Sequence, residues 1–145
     1  MTDTTQESQP VSAKPALNRV LLAEDDLLTR KLLSRLIERE GLTVVTASDG
    51  QAAWQILQQD ADFLAAVFDM QMPYLTGLDL VKRMRAEARL QIIPALIVTS
   101  RQDTALHAES LTAGTVSFIN KPVNPETFQT MLRLLADLGR RRRNS

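Results

Sequence analysis

The sequence predicts a doubly wound α/β domain, in which a five-stranded parallel sheet carries helices on both faces. Short apolar runs alternate with segments of helical period through most of the chain. Parallel neighbours need a crossover connection, and a helix supplies it, so this alternation indicates a parallel sheet. The strand candidates "RVLLA" and "ALIV" are also apolar on both faces, which is typical of strands that helices cover on each side.

Five strands and five helices are predicted from these patterns. The strands are "RVLLAE" (19–24), "LTVVTA" (42–47), "FLAAVF" (63–68), "ALIVT" (95–99) and "TVSFI" (115–119). The first helix carries a stripe at i, i+4 and i+8 and ends near Gly41, the stripe being Leu28, Leu32 and Leu36. The third and fourth helices span about 78–88 and 103–113. The second and last helices turn two apolar sets inward: Ala52, Ala53, Ile56 and Leu57, then Phe128, Met131, Leu132 and Leu135.

Length and composition suit one folded domain. The chain has 145 residues, of which 44% are apolar and 23% charged, and these values are ordinary for a globular protein. Residues 1–18 are polar, contain two prolines and show no period, so they are predicted to be a flexible leader. The domain is predicted over residues 19–138, and residues 139–145 are predicted to form a basic tail or the start of a linker.

Composition also limits where the protein works and what it binds. No apolar run approaches the ~18 residues that a bilayer span needs, and the N-terminus lacks a signal-peptide layout, so a cytoplasmic location without membrane contact is expected. The absence of cysteine excludes disulfides and thiolate metal sites. Four of the 17 basic residues form the run at 140–143. Without interleaved aromatics, such a run is more typical of a solvated terminus than of a nucleic-acid site.

Acidic residues follow two of the predicted strands. Glu24, Asp25 and Asp26 come at the end of the first strand, and Asp69 comes at the end of the third. If the strand order is 2-1-3-4-5, these strands are neighbours where the winding reverses, and sites in open α/β sheets form at that point. Clustered carboxylates repel one another unless a cation is present. Oxygen ligands without sulfur or imidazole suit Mg²⁺, so a magnesium site is predicted.

Two further polar residues end the fourth and fifth strands. Thr99 offers a hydroxyl donor, and Lys121 offers a mobile ammonium that can meet a phosphoryl oxygen. Carboxylates form aspartyl phosphates, so Asp69 is the candidate nucleophile. Taken singly, each of these residues has an ordinary structural explanation, such as a helix cap or a turn. Their joint position at the carboxyl ends of four strands predicts a site for phosphoryl transfer.

The motifs "LLAEDD", "FDMQMPYLTG", "IVTS" and "FINKP" stand in an order and at separations that resemble the receiver domain of two-component response regulators, of the chemotaxis-receiver type. The resemblance covers residues 19–138 and implies the flavodoxin-like strand order. It also implies that Asp69 accepts a phosphoryl group from a phosphohistidine on a sensor histidine kinase or a His-containing phosphotransfer protein. Glu24, Asp25, Asp69 and the backbone carbonyl of Gln71 would then hold Mg²⁺, while Asp26 caps the first helix.

The same resemblance assigns the remaining roles. Lys121 would neutralise phosphoryl oxygens, and its peptide bond to Pro122 would be cis. Thr99 and Phe118 would form a switch pair that reshapes the face made by the fourth helix, fifth strand and fifth helix, where a downstream protein or a second copy would bind. Gln71 and Arg101 would flank the route of the water that removes the phosphoryl group.

Two rival functions are open to the same residues. An aspartate-nucleophile phosphatase of the haloacid dehalogenase type usually needs a second Asp two positions after the nucleophile, and Gln71 occupies that position here. A phosphorylation-independent binding module would not need the complete acid, hydroxyl and lysine set that this chain carries. The sequence therefore favours a phosphorylation-controlled signalling switch over an enzyme, with at most weak loss of its own phosphoryl group.

Overall fold

The computed structural model describes residues 17–100, 108–109, 111–114 and 117–144. Its elements in chain order are β1 (Arg19–Ala23), α1 (Leu27–Arg39), β2 (Thr43–Ala47), α2 (Gly50–Gln59), β3 (Ala65–Asp69), α3 (Gly77–Arg85), β4 (Ala95–Thr99), β5 (Ser117–Asn120) and α4 (Pro125–Asn144). Nearly all of the predicted leader lies outside the described residues. Most of the helix predicted over 103–113 also lies outside them, although Ala108, Glu109, Leu111 and Thr112 are helical.

The strands form one parallel sheet in the order β2-β1-β3-β4-β5, which confirms the predicted order. The connections from β1 to β2, from β2 to β3 and from β3 to β4 each contain a helix that crosses a face of the sheet. The winding direction reverses between β1 and β3. In the register of the sheet, Asp69 pairs with Val98, and Thr99 pairs with Asn120. The carboxyl ends of β3, β4 and β5 are therefore nearly level, and the side chains that follow these strands can meet.

Two apolar cores lie on opposite faces of the sheet. Residues alternate between faces along a strand, so Leu21 packs into one core while Leu22 packs into the other. The first core lies under α2 and α3 and includes Phe68 and Met84. The second core lies under α1 and α4, and its buried helical side chains are Leu33, Leu36, Ile37, Phe128, Leu132, Leu135 and Ala136. Burial on both faces explains why the central strands are apolar throughout.

The face of α1 that packs on the sheet differs from the prediction. Of the predicted stripe, Leu36 is buried as expected, but Leu28 is 77% exposed and Leu32 is 43% exposed. Leu33 and Ile37 are buried beside Leu36 instead. The helix carries two adjacent leucine stripes, and spacing alone does not distinguish them. The helix begins after Asp26, whose side chain caps it by accepting from the backbone N–H of Thr29. Packing against the sheet selects which stripe is buried.

Several element boundaries also differ from the predicted ones. α3 begins with a reciprocal capping box between Thr76 and Asp79 and ends at Arg85, earlier than predicted, because the following residues turn. β3 begins two residues later than predicted and includes Asp69 itself. β5 spans Ser117–Asn120 and so reaches one residue further than predicted, and residues 115–116 of its predicted start lie outside the described residues. Hydrogen-bonded pairing with a neighbour decides where a strand starts, and apolar runs extend beyond it.

The backbone does not break at the predicted start of the basic tail. α4 continues through residues 139–144, and Arg143 donates to the carbonyl oxygens of Ala61 and Phe63, each at 2.8 Å. Gly139 is buried against the carbonyl of Leu64, where an added Cβ would collide with that oxygen. The division into domain and tail stays a prediction, but the tail residues are helical and partly packed. Among the helices that the structure describes, none has the length and hydropathy of a bilayer span.

Candidate functional site

Asp69 ends a strand whose five residues are all buried, and its side chain is itself only 2% exposed. The N–H of Gln71 donates to Asp69 Oδ1 at 3.2 Å. Gly77, at the start of α3, packs so closely that an added Cβ would lie 2.7 Å from the carbonyl oxygen of Asp69. A glycine is therefore required where the loop after Asp69 returns to the sheet.

Two further carboxylates meet Asp69 from the end of β1. Glu24 is fully buried and Asp25 is exposed, and one oxygen from each of Glu24, Asp25 and Asp69 lies within 4.8 Å of the other two. Asp26 is turned away from this group, because its Oδ2 accepts from the N–H of Thr29 at 2.8 Å and from the Thr29 hydroxyl at 2.7 Å. The structure thus confirms both the convergence of three acids and the capping role of Asp26.

Lys121 places an ammonium between two of these acids. Its Nζ atom lies 3.2 Å from Glu24 Oε1 and 3.4 Å from Asp69 Oδ1. Its backbone N–H donates to the carbonyl of Thr99 at 2.7 Å, which ties the end of β5 to the end of β4. The peptide bond between Lys121 and Pro122 is cis, as predicted.

Burial and nearby charges change how Glu24 and Lys121 titrate. Burial, followed by the hydrogen bond and the charge of Asp69, raises the pKa of Glu24 to about 7. Burial lowers the pKa of Lys121, but the negative charges of Asp69 and Glu24 outweigh it and raise that pKa above its ordinary value. Lys121 is therefore a permanent cation at neutral pH, and the excess negative charge is partly relieved by a proton on Glu24.

The donor set fits a hard divalent cation. Glu24, Asp25 and Asp69 supply carboxylate oxygens alone, which is the chemistry that Mg²⁺ prefers. Although Lys121 lies nearby, the buried Oε1 atom of Glu24 accepts no hydrogen bond of good geometry within the described part of the chain. A buried carboxylate oxygen without a hydrogen-bond donor is well suited to bind a metal ion. Gln71 contributes its N–H to Asp69, and a role for its carbonyl stays a prediction.

The predicted switch pair lies on neighbouring strands. Thr99 is 1% exposed at the end of β4, at the same edge as the acids. Phe118 is half-buried on β5 opposite Ile97 and packs against the core under α2 and α3. A switching role for the pair stays a prediction. Arg101, predicted to flank the water route, lies outside the described residues.

Sequence reasoning overlooked two residues of the site. Arg30, on the first turns of α1, donates to the backbone carbonyl of Glu24 at 2.7 Å and holds the end of β1. Asn120 pairs with Thr99 and immediately precedes Lys121, and its buried Oδ1 has no hydrogen-bond partner among the residues described. Asn120 belongs to the "FINKP" motif, so its position at a strand end was a usable signal. Arg30 had no such signal, because its contact depends on the tertiary path of β1.

A five-stranded parallel sheet of this order, with three acids and a lysine gathered where the winding reverses, defines a receiver domain of the chemotaxis-receiver type. The chain belongs to the response regulator receiver domain family, whose model matches residues 20–133. Receiver domains of this family are phosphorylation-controlled components of two-component systems. They generally act as regulators and bind Mg²⁺ in an acidic site.

Individual relatives agree with this assignment. The chain is 30% identical over 118 residues to the chemotaxis protein CheY1 of Helicobacter pylori, an alignment that covers 81% of this chain and 95% of the relative. It is 32% identical over 106 residues to the two-component response regulator ORR3 of Oryza sativa, covering 73% and 81% of the two chains. Among solved structures, the chemotaxis response regulator CheY4 of Vibrio cholerae superposes with a TM-score of 0.76 at 28% identity, covering 83% of this chain and 99% of that one.

Proposed function

We propose that this protein is a signalling switch in which Asp69 accepts a phosphoryl group from a phosphohistidine. The observation that carries the proposal is the position of Asp69, a nearly buried carboxylate held between Lys121 and two further acids at the switch point of the sheet. The donor would be a sensor histidine kinase or a His-containing phosphotransfer protein, and the place of action would be the cytoplasm.

The chemistry needs few protein groups. A carboxylate oxygen of Asp69 attacks phosphorus, the new P–O bond forms as the P–N bond of the phosphohistidine breaks, and the electron pair leaves with the imidazole. Lys121 already lies 3.4 Å from Asp69 Oδ1, so its ammonium can pair with the phosphoryl oxygens as they arrive. Glu24, Asp25 and Asp69, with the carbonyl of Gln71, would hold Mg²⁺. The bound ion supplies neutralisation of phosphoryl charge.

The phosphorylated state would be read at a surface away from Asp69. Thr99 would turn its hydroxyl towards the phosphoryl group, and Phe118 would rotate inward into the space released. This would reshape the face formed by β5, α4 and the predicted helix over 103–113. A downstream protein or a second copy of this chain would bind that face.

Labelling with a small phosphodonor tests the proposal. Acetyl phosphate should add one phosphoryl group to the wild-type protein when Mg²⁺ is present, and intact-mass spectrometry would detect it. Asp69→Asn should remain unlabelled, and so should the wild type in EDTA. Asp26→Asn is the matched control, because Asp26 neighbours the site but caps α1, and it should be labelled normally. Equal labelling of the wild type and Asp69→Asn would refute the assignment.

The same experiment separates the two rivals. A phosphorylation-independent binding module would show no labelling under any of these conditions. A phosphatase would release many equivalents of phosphate without accumulating the labelled form, whereas a regulator would accumulate that form and release phosphate only as fast as it decays. The position two residues after Asp69 is Gln71, an amide that cannot serve as an acid or base, and this disfavours the phosphatase.

A further inference from the structure

The side chain of Arg85 connects two loops at the edge of the sheet opposite Asp69. Arg85 is the last residue of α3, and its guanidinium is partly buried. It donates from Nη1 to the carbonyl of Gln91 at 2.8 Å and from Nη2 to the carbonyl of Ile93 at 3.0 Å. Nε and Nη2 both donate to the carbonyl of Gly114, at 3.3 and 3.1 Å. One planar fork thus serves three backbone carbonyls.

These carbonyls belong to the approaches to two adjacent strands. Gln91 and Ile93 lead into β4, which begins at Ala95, and Gly114 precedes β5, which begins at Ser117. Arg85 therefore joins the starts of β4 and β5. At their other ends the same two strands are joined by the N–H of Lys121 and the carbonyl of Thr99. The segment between β4 and β5 is thus fixed at both ends. Thr99 is held by the N–H of Lys121, and Gly114 is held by Arg85.

Gly114 fits this contact in two ways. Its φ of +108° is a conformation that side chains other than glycine rarely adopt. An added Cβ would also lie 2.6 Å from Nε of Arg85. A glycine at this position lets the backbone turn and lets the guanidinium reach the carbonyl. In return, the side-chain amide of Gln91 donates to the carbonyl of Arg85 at 3.0 Å, which holds the end of α3 against the same loop.

A second cation of α3 contacts the same region in a weaker way. Lys82 Nζ lies 2.9 Å from Glu109 Oε2, but both side chains are about half exposed. Exposed pairs of this kind are screened by solvent and contribute little. Arg85 is paired with none of the described carboxylates, and its partners are carbonyls in fixed positions. Lys cannot reproduce the fork, because an ammonium has no planar array of donors.

We infer that Arg85 is a positioning residue that holds Gly114 on α3 and on the start of β4. The helical residues Ala108, Glu109, Leu111 and Thr112 lie just before Gly114, so their C-terminal end is anchored. A displacement that begins at Thr99 would therefore turn these residues about Gly114 instead of shifting them as a body. The use of this anchor in signalling rests on the proposed function. The anchor itself does not.

Amide hydrogen exchange on the full chain, followed by NMR, tests the anchor. The reporters are the amides of Ala113 and Gly114, which donate to Glu109 and Leu111 at 2.9 and 3.1 Å. Arg85→Met and Arg85→Lys should both speed their exchange by about tenfold or more, since local opening no longer breaks the Arg85 bonds. Lys82→Met is the matched control on the same helix and should change these rates by no more than about twofold. Amides of α1 should be unaffected.

Unchanged exchange at Ala113 and Gly114 in both Arg85 variants would overturn the inference. So would a change in Lys82→Met as large as that in Arg85→Met. Equal acceleration in α1 in both Arg85 variants would also overturn it, because Arg85 would then support the whole fold and not this turn. In a double-mutant cycle, Gly114→Ala should speed exchange less in the Arg85→Met background than in the wild type, since the Arg85 hydrogen bonds that the added Cβ disrupts are already lost.

A second readout separates this inference from the proposed function. Arg85→Lys should be labelled at Asp69 by acetyl phosphate as the wild type is, because Arg85 lies at the opposite edge of the sheet. If the wild type itself were not labelled while the exchange results stood, the proposed function would fail and the anchor would remain. Loss of labelling in Arg85→Lys alone would show that Arg85 acts on the site, contrary to the inference.

Discussion

The ammonium of Lys121 bridges Asp69 and Glu24, at 3.4 Å and 3.2 Å from one oxygen of each. The two acids come from β3 and β1, whereas Lys121 follows β5, so a long side chain crosses the end of β4 to reach them. Two nearly buried carboxylates would otherwise face each other with little solvent to separate their charges. Lys121 therefore offsets part of the negative charge of Asp69 and Glu24 before any phosphoryl group arrives.

Replacing Lys121 should destabilise the metal-free protein. Lys121→Met leaves the Asp69 and Glu24 carboxylates without their bridging cation, and we expect the free energy of unfolding at neutral pH to fall by about 1–3 kcal/mol. Added Mg²⁺ should recover part of the loss, because it supplies positive charge to the same oxygens. Urea denaturation in EDTA and in Mg²⁺ measures both effects. Lys121→Arg, which keeps the charge, should lose less, and an unchanged stability of Lys121→Met would contradict the bridging role.

Glu24 should make stability depend on pH in the absence of metal. Its pKa rises from 4.5 to about 7 on folding, so the folded protein binds this proton more tightly than the unfolded chain does. Consequently, the free energy of unfolding should contain a contribution that is lost as the pH rises from about 4.5 to about 7. Glu24→Gln lacks this titration and should gain about 1–3 kcal/mol relative to the wild type across the interval.

Paired urea melts of the wild type and Glu24→Gln across this pH range, all in EDTA, provide the measurement. Asp26→Asn serves as the control for an acid at the same end of β1. Hydrogen bonds from the Thr29 hydroxyl and N–H hold the pKa of Asp26 below its ordinary value, so its variant should not reproduce this pH dependence. A stability difference between Glu24→Gln and the wild type that stays constant with pH would show that Glu24 is not protonated as described.

Removal of the Thr99 hydroxyl should weaken the effect of phosphorylation on the face formed by β5, α4 and the predicted helix over 103–113. Thr99→Ala should still accept a phosphoryl group at Asp69, since Thr99 takes no part in the attack. The charge-assisted hydrogen bond that would draw Thr99 to the phosphoryl oxygen is lost, so less free energy is available to move Phe118. We expect much smaller phosphorylation-induced NMR shifts around Phe118 and α4. Full-size shifts in this variant would mean that the signal leaves the site by another route.

We predict that the phosphoryl group persists, because we expect the long side chains of Gln71 and Arg101 to obstruct the attacking water. Gln71 and Arg101 stand two positions after Asp69 and Thr99, and Gln71 is exposed beside the site. Gln71→Ala and Arg101→Ala should each shorten the lifetime of the labelled protein. The decay of the mass-labelled species after removal of acetyl phosphate gives the rates. Slower decay in both variants would reverse the role assigned to these residues.

Much of the fold could be predicted because its signals are local. Apolar runs bounded by turns and helical segments indicated all five strands, and their alternation was enough for a parallel sheet. The leucines of α1 show where such signals stop. Leu28, Leu32 and Leu36 have the spacing of a buried stripe, yet Leu28 and Leu32 are exposed. Leu36 faces the core together with Leu33. Spacing identifies an amphipathic helix, but only packing against the sheet selects between two adjacent apolar stripes.

The order of the amino acids was enough to predict which chemical groups stand at the ends of the strands: Glu24, Asp25, Asp69, Thr99 and Lys121. A parallel sheet brings strand ends to one edge, so their residue types already implied a cation-dependent phosphoryl site. Tertiary structure alone decided that Glu24 is buried enough to hold a proton near neutral pH and that Arg85 reaches Gly114, 29 residues away. Both depend on desolvation and on contacts between distant segments, and local periodicity carries no information about either.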